Sequence, residues 1–590
     1  MGDDKNTLHL MNMAQGPAGP AVEGVDVFSV VDLNGDGQLD MAGVADGQPV
    51  ELTGRGTKSY HWAVMRPRAQ PTAGDQRINS FGVGGEIEIR SGLLTQKQTM
   101  TGAPVHFGLG TRTAIDVARI VWPNGIMQAD FDRNADQAVV AEQRLKGSCP
   151  WVFTYDGSGM RFVTDFLWRS PLGLRINAQD TAGVTQTEDW VKIRGNQLVA
   201  RGGAYDVRIT AELWETHFVD HVSLMVVDHA DDEEVFVDER FAREAPALSV
   251  HVMKHVRSVS GARDEAGRDV SDLVAKQDGR YLATFARGAY QGVAQDHFVE
   301  IDLPADTRGP GRPALQNLWL IANGFIYPTD SSINVAIGQG GIEPRGLSLE
   351  AQDEAGRWIV VAPDLGFPAG KNKTILIDLA RVARAGVTNA RRLRLRTNLE
   401  IYWDSLAVAE EAGAPVASQT VRLQADRAEL RYRGFSKTDF AKHDVPETPH
   451  YDQLANIGQR WRDLVGYYTR YGDVRELLES VDDRYVIMNA GDELRLSFRA
   501  PPKDAHVARD FVLIGDGWVK DGDYNTSYSK TVQPLPRHNH PDYGDSAGGR
   551  QSAVDSLELE DDPVYRQHMR DWQTYHTRFV TPHDFLTGLR

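Results

Sequence analysis

The sequence predicts an all-β chain, short strands joined by turns, with one helix near its C-terminus. Three observations carry that expectation. Residues 204–214 alternate apolar and polar side chains over a long span, as a half-buried strand does. Residues 392–398 and 400–408 do the same, with arginines on one face and leucines on the other in the first of them. Gly- and Asp-rich turns recur between such segments at the spacing of a β-sandwich. The helical exception is 563–579, where Tyr565, Met569, Trp572, Tyr575 and Phe579 step by three and four.

Composition narrows the function classes. With 590 residues the chain is long enough for several domains, and 41% apolar with 25% charged residues is ordinary for a globular protein. A net charge of −18 disfavours nucleic acid and anionic membrane surfaces as partners. No apolar run approaches the roughly 18 residues of a membrane-spanning helix. The lone Cys149 excludes an internal disulfide and a multi-cysteine zinc site.

The most specific chemical signal is at 32–40. Asp32, Asn34 and Asp36 place side-chain oxygens at every second position, Gln38 offers a backbone carbonyl, and Asp40 closes the set. Ca²⁺ is a hard ion that takes six to eight oxygens, and such a run can wrap one. Gly35 and Gly37 let the chain turn tightly enough to do so. The twelfth loop position is Gly43 rather than the Glu of an EF-hand, so a helical calcium loop is excluded. Alternating residues at 25–30 and an apolar run at 41–45 instead predict strand, turn, strand. An Asp/Asn/Gly hairpin turn without an ion is the alternative reading of the same residues.

The strand–loop–strand unit resembles the FG-GAP repeat, the blade of integrin-type β-propellers. That resemblance implies a partial, calcium-binding blade. One blade cannot bury its own face, and no second copy recurs at a fixed period, so either sibling blades lie outside the chain or the blade packs on something else. Residues 1–20 show no signal peptide, and a start inside a longer natural protein is expected. Further along, Asn79–Gly85 forms a glycine bend, His106-Phe107-Gly108-Leu109-Gly110 follows, and Trp122-Pro123-Asn124-Gly125 ends the series. These motifs are similar to the ASPIC/UnbV domain, which follows FG-GAP repeats in bacterial extracellular proteins and in the cartilage acidic protein family. The bend precedes alternating strand residues rather than a helix, so it is not a phosphate loop, and His106 is expected to be structural.

The expected organisation is a blade with its calcium loop at 1–57, an ASPIC/UnbV-like module at 58–147, a β-sandwich region with room for two subdomains at 148–415, and a C-terminal β domain at 416–590 with a long loop over 515–560. The strand with Tyr402-Trp403-Asp404 resembles the closing strand of jelly-roll carbohydrate-binding modules. Other oxygen- or histidine-rich groups recur along the chain. Asp130, Asp132, Asn134 and Asp136 lack a curling glycine and read as a solvated connector; Asp521, Asp523 and Asn525 lack a closing acid. Glu212, Glu215, Asp220, His221, Asp228 and His229 fall in one two-strand region, but strand spacing gives His217, His221 and His229 no tetrahedral set. His538, His540, His568 and His576 read as a solvated loop with neighbours. No catalytic residue is assigned.

The functional expectation is a calcium-stabilised protein of the cell exterior or periplasm. Its partners would be other proteins or polysaccharide, with Ca²⁺ as its cofactor and no membrane span. The alternatives are a glycan-active enzyme using carboxylates within 200–410 and a structural subunit of a larger surface assembly.

Overall fold

The computed structural model describes residues 7–8, 11–12, 16–17, 22–55, 59–69, 78–124, 126–143, 147, 150–182, 184, 186–213, 215–304, 315–387, 389–413, 419–439, 444–456, 464–523, 525–538 and 563–580. The fold is all-β: among the described residues the α-helices are Ser331–Gln339, Ala380–Arg384 and Pro563–Thr574. None of these is long and apolar enough to cross a membrane. The chain forms two compact units, one of 1–71, 78–123 and 127–144, the other of 72–77, 124–126 and 145–590.

In the first unit Asp26–Val31, Asp40–Ala45 and Gln48–Leu52 form a three-stranded antiparallel sheet in chain order. Residues 32–39 join the first pair, as the strand–turn–strand reading predicts. A second sheet orders Leu94–Thr99, Glu86–Ser91, Ala114–Val121 and Met127–Asn134, and a third orders Val105–Gly110, His61–Arg68 and Gln137–Glu142. Their alternation hides one face: Ile87, Ile89, Phe107, Leu109, Ile115 and Ile120 are all fully buried. The glycine bend leads into Glu86–Ser91 as expected, held by Asn79, whose Oδ1 accepts the Val83 amide at 2.8 Å. Residues 130–134 are not a connector. They belong to the edge strand Met127–Asn134, and Asp130 is buried opposite Ala118.

The second unit holds two β-sandwiches whose sheets ignore chain order. One pairs a sheet of Met160–Asp165, Trp151–Tyr155, Ala204–Thr210, Asp492–Arg499, Arg427–Tyr432 and Gly472–Asp473 with a sheet of Glu188–Ile193, Ala508–Asp521, Glu215–His229 and Thr420–Gln424. Val207, Ile209, Val222, Leu224, Leu494 and Leu513 fill the core between them. The other sandwich is built wholly from residues 233–413, with Leu320, Leu349, Ile377, Leu393, Leu395 and Leu406 inside. The chain beyond 416 therefore completes a sandwich begun before 230, because the strands that satisfy its backbone groups lie there.

Two local expectations change. The segment from 515 is not loop at first: the strand Ala508–Asp521 runs through it. Its glycines mark close approach, since a Cβ at Gly515 would lie 2.2 Å from the Phe166 ring and one at Gly517 2.1 Å from the Phe218 carbonyl. Residues 539–560 lie outside the described residues. The terminal helix ends at Thr574, and Arg578–Val580 pairs as a strand with Gly466–Tyr468. Tyr575 docks into the core, whereas Phe579 stays exposed against Tyr467.

Candidate functional site

In the first unit the 32–40 loop is curled by its own side chains. Asp32 accepts the Gly35 amide on Oδ1 at 2.7 Å and the Gly37 amide on Oδ2 at 2.9 Å. Asn34 Oδ1 accepts the Asp36 amide at 2.8 Å, and Asp36 Oδ1 accepts the Gln38 amide at 2.8 Å. These are turns that Asx side chains make with amides two to five residues on. Asp40 is fully buried and binds the amides of Leu33 at 2.9 Å and Gly54 at 2.7 Å, tying the loop to the strand beyond. Those amides, Gly54 first, hold its carboxyl below the usual range. Asp32 is half-buried, Asn34 and Asp36 stay exposed, and Asn34 Nδ2 donates to Asp36 Oδ2 at 3.1 Å. A Ca²⁺ ion would replace that donation, because a cation needs the carboxylate oxygen that the amide now occupies.

The loop rests on Trp62 and on His106, whose role is structural as expected. His106 Nε2 bonds the Gly37 carbonyl at 2.8 Å, and Trp62 stacks on His106 with ring centroids 6.2 Å apart. Gly37 is at φ +86°, and a Cβ there would lie 1.8 Å from the Trp62 ring. Nothing in local spacing pairs residue 37 with 106.

The acid/histidine group of the second unit is dispersed. Glu212 is buried against Arg433 at 3.1 Å and Ser436 Oγ at 2.7 Å. Asp228 forms a two-pronged pair with Arg509 at 2.6 and 2.7 Å. His221 donates from Nδ1 to the Leu478 carbonyl at 2.8 Å, and His229 donates to Ala230 at 2.9 Å. His217 is fully buried in the core, and His221 and His229 serve separate backbone positions. On the other sandwich, Arg392, Arg394 and Arg396 engage Glu300, Asp302, Asp296 and Glu350. Asp523 takes the Ser332 hydroxyl at 2.9 and 2.8 Å and the Asn525 amide at 2.9 Å.

One grouping joins residues far apart in sequence. A bulge between Val219 and His221 takes Asp220 out of the ladder with Ala508–Asp521 and turns it inward, where it is fully buried. Asp220 accepts the amides of Asp482, Asp483 and Arg484, each at 3.1 Å. His538 lies beside it, with Nδ1 2.6 Å from Asp483 Oδ1 and Nε2 2.9 Å from Asp516 Oδ1. Thr187 donates to the other Asp516 oxygen at 3.0 Å, and the Trp518 ring meets His538 edge-on. Burial pushes the Asp220 carboxyl up to about 8. Burial opposes charge on His538 as well, but the bonds to Asp483 and Asp516 outweigh it and lift the ring to about 10. His540 and His568, grouped with His538 in sequence, have side chains outside the described residues.

The same unit contains a cavity of about 460 Å³. Trp168, Leu172, Phe241, Tyr327, Ile337 and Phe367 supply apolar wall, and Glu215 and Asp521, neighbours across two strands, also reach it. Phe241 stacks on Phe367 at 5.2 Å. A ring-lined cavity with few polar groups is the common form of a small-ligand site.

Residues 75–146 match the family model described as ASPIC and UnbV. No curated protein matches the chain. A solved structure described as "Crystal structure of with xylogluco-oligosaccharide" is 9% identical, with 64% of this chain and 86% of that chain covered, at a TM-score of 0.13. At that score the likeness carries nothing about fold or ligand.

Proposed function

We propose that the chain is a calcium-stabilised binding protein of the cell exterior, recognising protein or polysaccharide partners through its β modules. The observation that carries this reading is the curled 32–40 loop, in which Asp32 gathers the Gly35 and Gly37 amides while Asn34 and Asp36 remain at the surface. Backbone already bent around the first oxygen ligand leaves little to reorganise when an ion arrives. Asp32, Asn34, Asp36, the Gln38 carbonyl and Asp40 are the proposed ligands. Weak calcium sites fill only where calcium is abundant, which supports a location outside the cytosol. The family match at 75–146 supports the interaction role, since the resembling domains follow calcium-binding repeats in extracellular proteins. The arginine pairing of Glu300, Asp302, Asp296 and Glu350 weighs against a glycan-cleaving carboxylate pair on that sheet.

Calorimetry of the full chain tests the reading. After chelator treatment, CaCl₂ should titrate one site in the wild type, and that site should vanish in Asp36→Ala. Equal heats for the two proteins, with equal melting temperatures in chelator and in calcium, would refute it.

A second reading, a subunit completed by further blades, is favoured by one observation. Phe28 and Val30 are 72% and 54% exposed on the same face of Asp26–Val31. Light scattering should then show an assembly that Phe28→Asp dissolves without lowering the melting temperature, whereas a monomer at every concentration with no co-purifying chain removes this reading.

A further inference from the structure

We propose that Asp220, Asp516 and His538 form a divalent transition-metal site of the zinc type, independent of the calcium loop, with Asp483 as the residue that positions its histidine. One ligand atom from each of the three lies within 4.8 Å of the others. His538 Nε2 is 2.9 Å from Asp516 Oδ1, and Asp220 Oδ2 is 3.8 Å from the same ring at Nδ1. Ligands held at about 2.0–2.2 Å from a tetrahedral Zn²⁺ stand roughly 3.3–3.6 Å from one another, so the Nε2–Asp516 separation would open by a few tenths of an ångström to admit the ion.

The surroundings have the form that metal-bound histidines have. Asp483 sits 2.6 Å from Nδ1 and accepts its proton, so an ion would bind at Nε2, in place of the proton that Nε2 now shares with Asp516. Tyr485 donates to the same Asp483 oxygen at 2.8 Å, and Thr187 donates to Asp516, so both carboxylates are fixed by further hydrogen bonds. Asp220 is fixed by three backbone amides and cannot swing away. Asp220, Asp483 and Asp516 are each nine-tenths or more buried. Three such carboxyl groups around one imidazole lie in a region of low dielectric, where a divalent ion would offset the charge of their ionised forms. His538 is 30% exposed, which leaves an approach from solvent and room for a water as fourth ligand. One nitrogen with two oxygens suits Zn²⁺ over Ca²⁺, which takes oxygen alone.

The test uses the full chain, stripped with chelator and dialysed, then titrated with Co²⁺ as the spectroscopic stand-in and with Zn²⁺ by calorimetry. We expect one Co²⁺ with visible d–d absorption, displaced by one Zn²⁺, and retained in Asp36→Ala. Asp516→Asn and His538→Gln should abolish that absorption, and Asp483→Asn should weaken Zn²⁺ affinity roughly 10- to 100-fold. Wild-type protein with no Co²⁺ absorption and no Zn²⁺ heat overturns the proposal without recourse to any variant. So does Zn²⁺ binding that His538→Gln leaves intact. Far-UV circular dichroism of each variant separates loss of ligand from loss of fold.

Discussion

His106 and Gly37 are joined by a hydrogen bond of 2.8 Å between an imidazole nitrogen and a backbone carbonyl, across 69 positions of sequence. A carbonyl can only accept, so Nε2 carries the proton and the ring is held in one tautomer. The bond fixes the oxygen-rich loop onto the Val105–Gly110 strand through the residue that must be glycine. Loop curvature and the H-F-G-L-G motif are thus one piece of structure.

The two loop glycines should respond differently to the same change. Gly35 is at φ +78° with open space around it, so Gly35→Ala costs only the left-handed backbone, about 1 kcal/mol. Gly37→Ala adds a methyl 1.8 Å from the Trp62 ring and must displace it. Its cost should exceed that of Gly35→Ala by about 1–3 kcal/mol, with altered tryptophan fluorescence. Equal urea midpoints for the two variants would show that Trp62 does not pack on the loop.

Arg433 and Glu212 form a buried pair, 4% and 2% exposed. Burial pushes the Glu212 carboxyl up, and Arg433 works against that. Arg433→Met leaves the acid without its main counter-charge and should destabilise by about 3–5 kcal/mol. Adding Glu212→Gln should recover a large part of the loss, measured as a double-mutant cycle in denaturant. Additive losses would mean that the two side chains do not interact.

His217 should make the second unit sensitive to acid. It is fully buried, and burial holds its ring down to about 3. Below its ordinary pKa of about 6.5 the unfolded chain takes up a proton that the folded chain refuses. Its contribution is therefore fully present above that value and lost as pH falls toward 3, at up to about 1.4 kcal/mol per pH unit. Unfolding free energies at pH 7, 5.5 and 4.5 should fall more steeply for the wild type than for His217→Gln. Parallel lines would remove the histidine as the cause.

Much of the fold was legible because period-two patterning survives without knowledge of partners. Leu393 and Leu395 are buried while Arg392, Arg394 and Arg396 form ion pairs outside, as their alternation predicts. The strand–loop–strand at 26–45 was equally plain, because Asp, Asn and Gly spacing encodes turn geometry locally. Partner choice was not legible: Val227 pairs with Thr420 and His217 with Met488, and apolar alternation carries no address. Gly515 and Gly517 read as loop because a glycine that admits a neighbouring ring looks the same in sequence as one that turns the chain. The Asp220 cluster stayed hidden for a related reason. A bulge breaks alternation by a single residue, and the histidine it meets stands far down the chain.

The interrupted sandwich has a consequence for synthesis. Glu215–His229 finds its partners in Thr420–Gln424, Val486–Met488 and Ala508–Asp521, all made after the complete 233–413 sandwich. On the ribosome the intervening domain has every strand it needs while the first half of its host still waits with open edges. Those edges are sites for wrong pairing until the last strands emerge. Chaperone cover during synthesis of 420–521 should therefore raise the yield of native protein, and slower translation through that stretch should lower it.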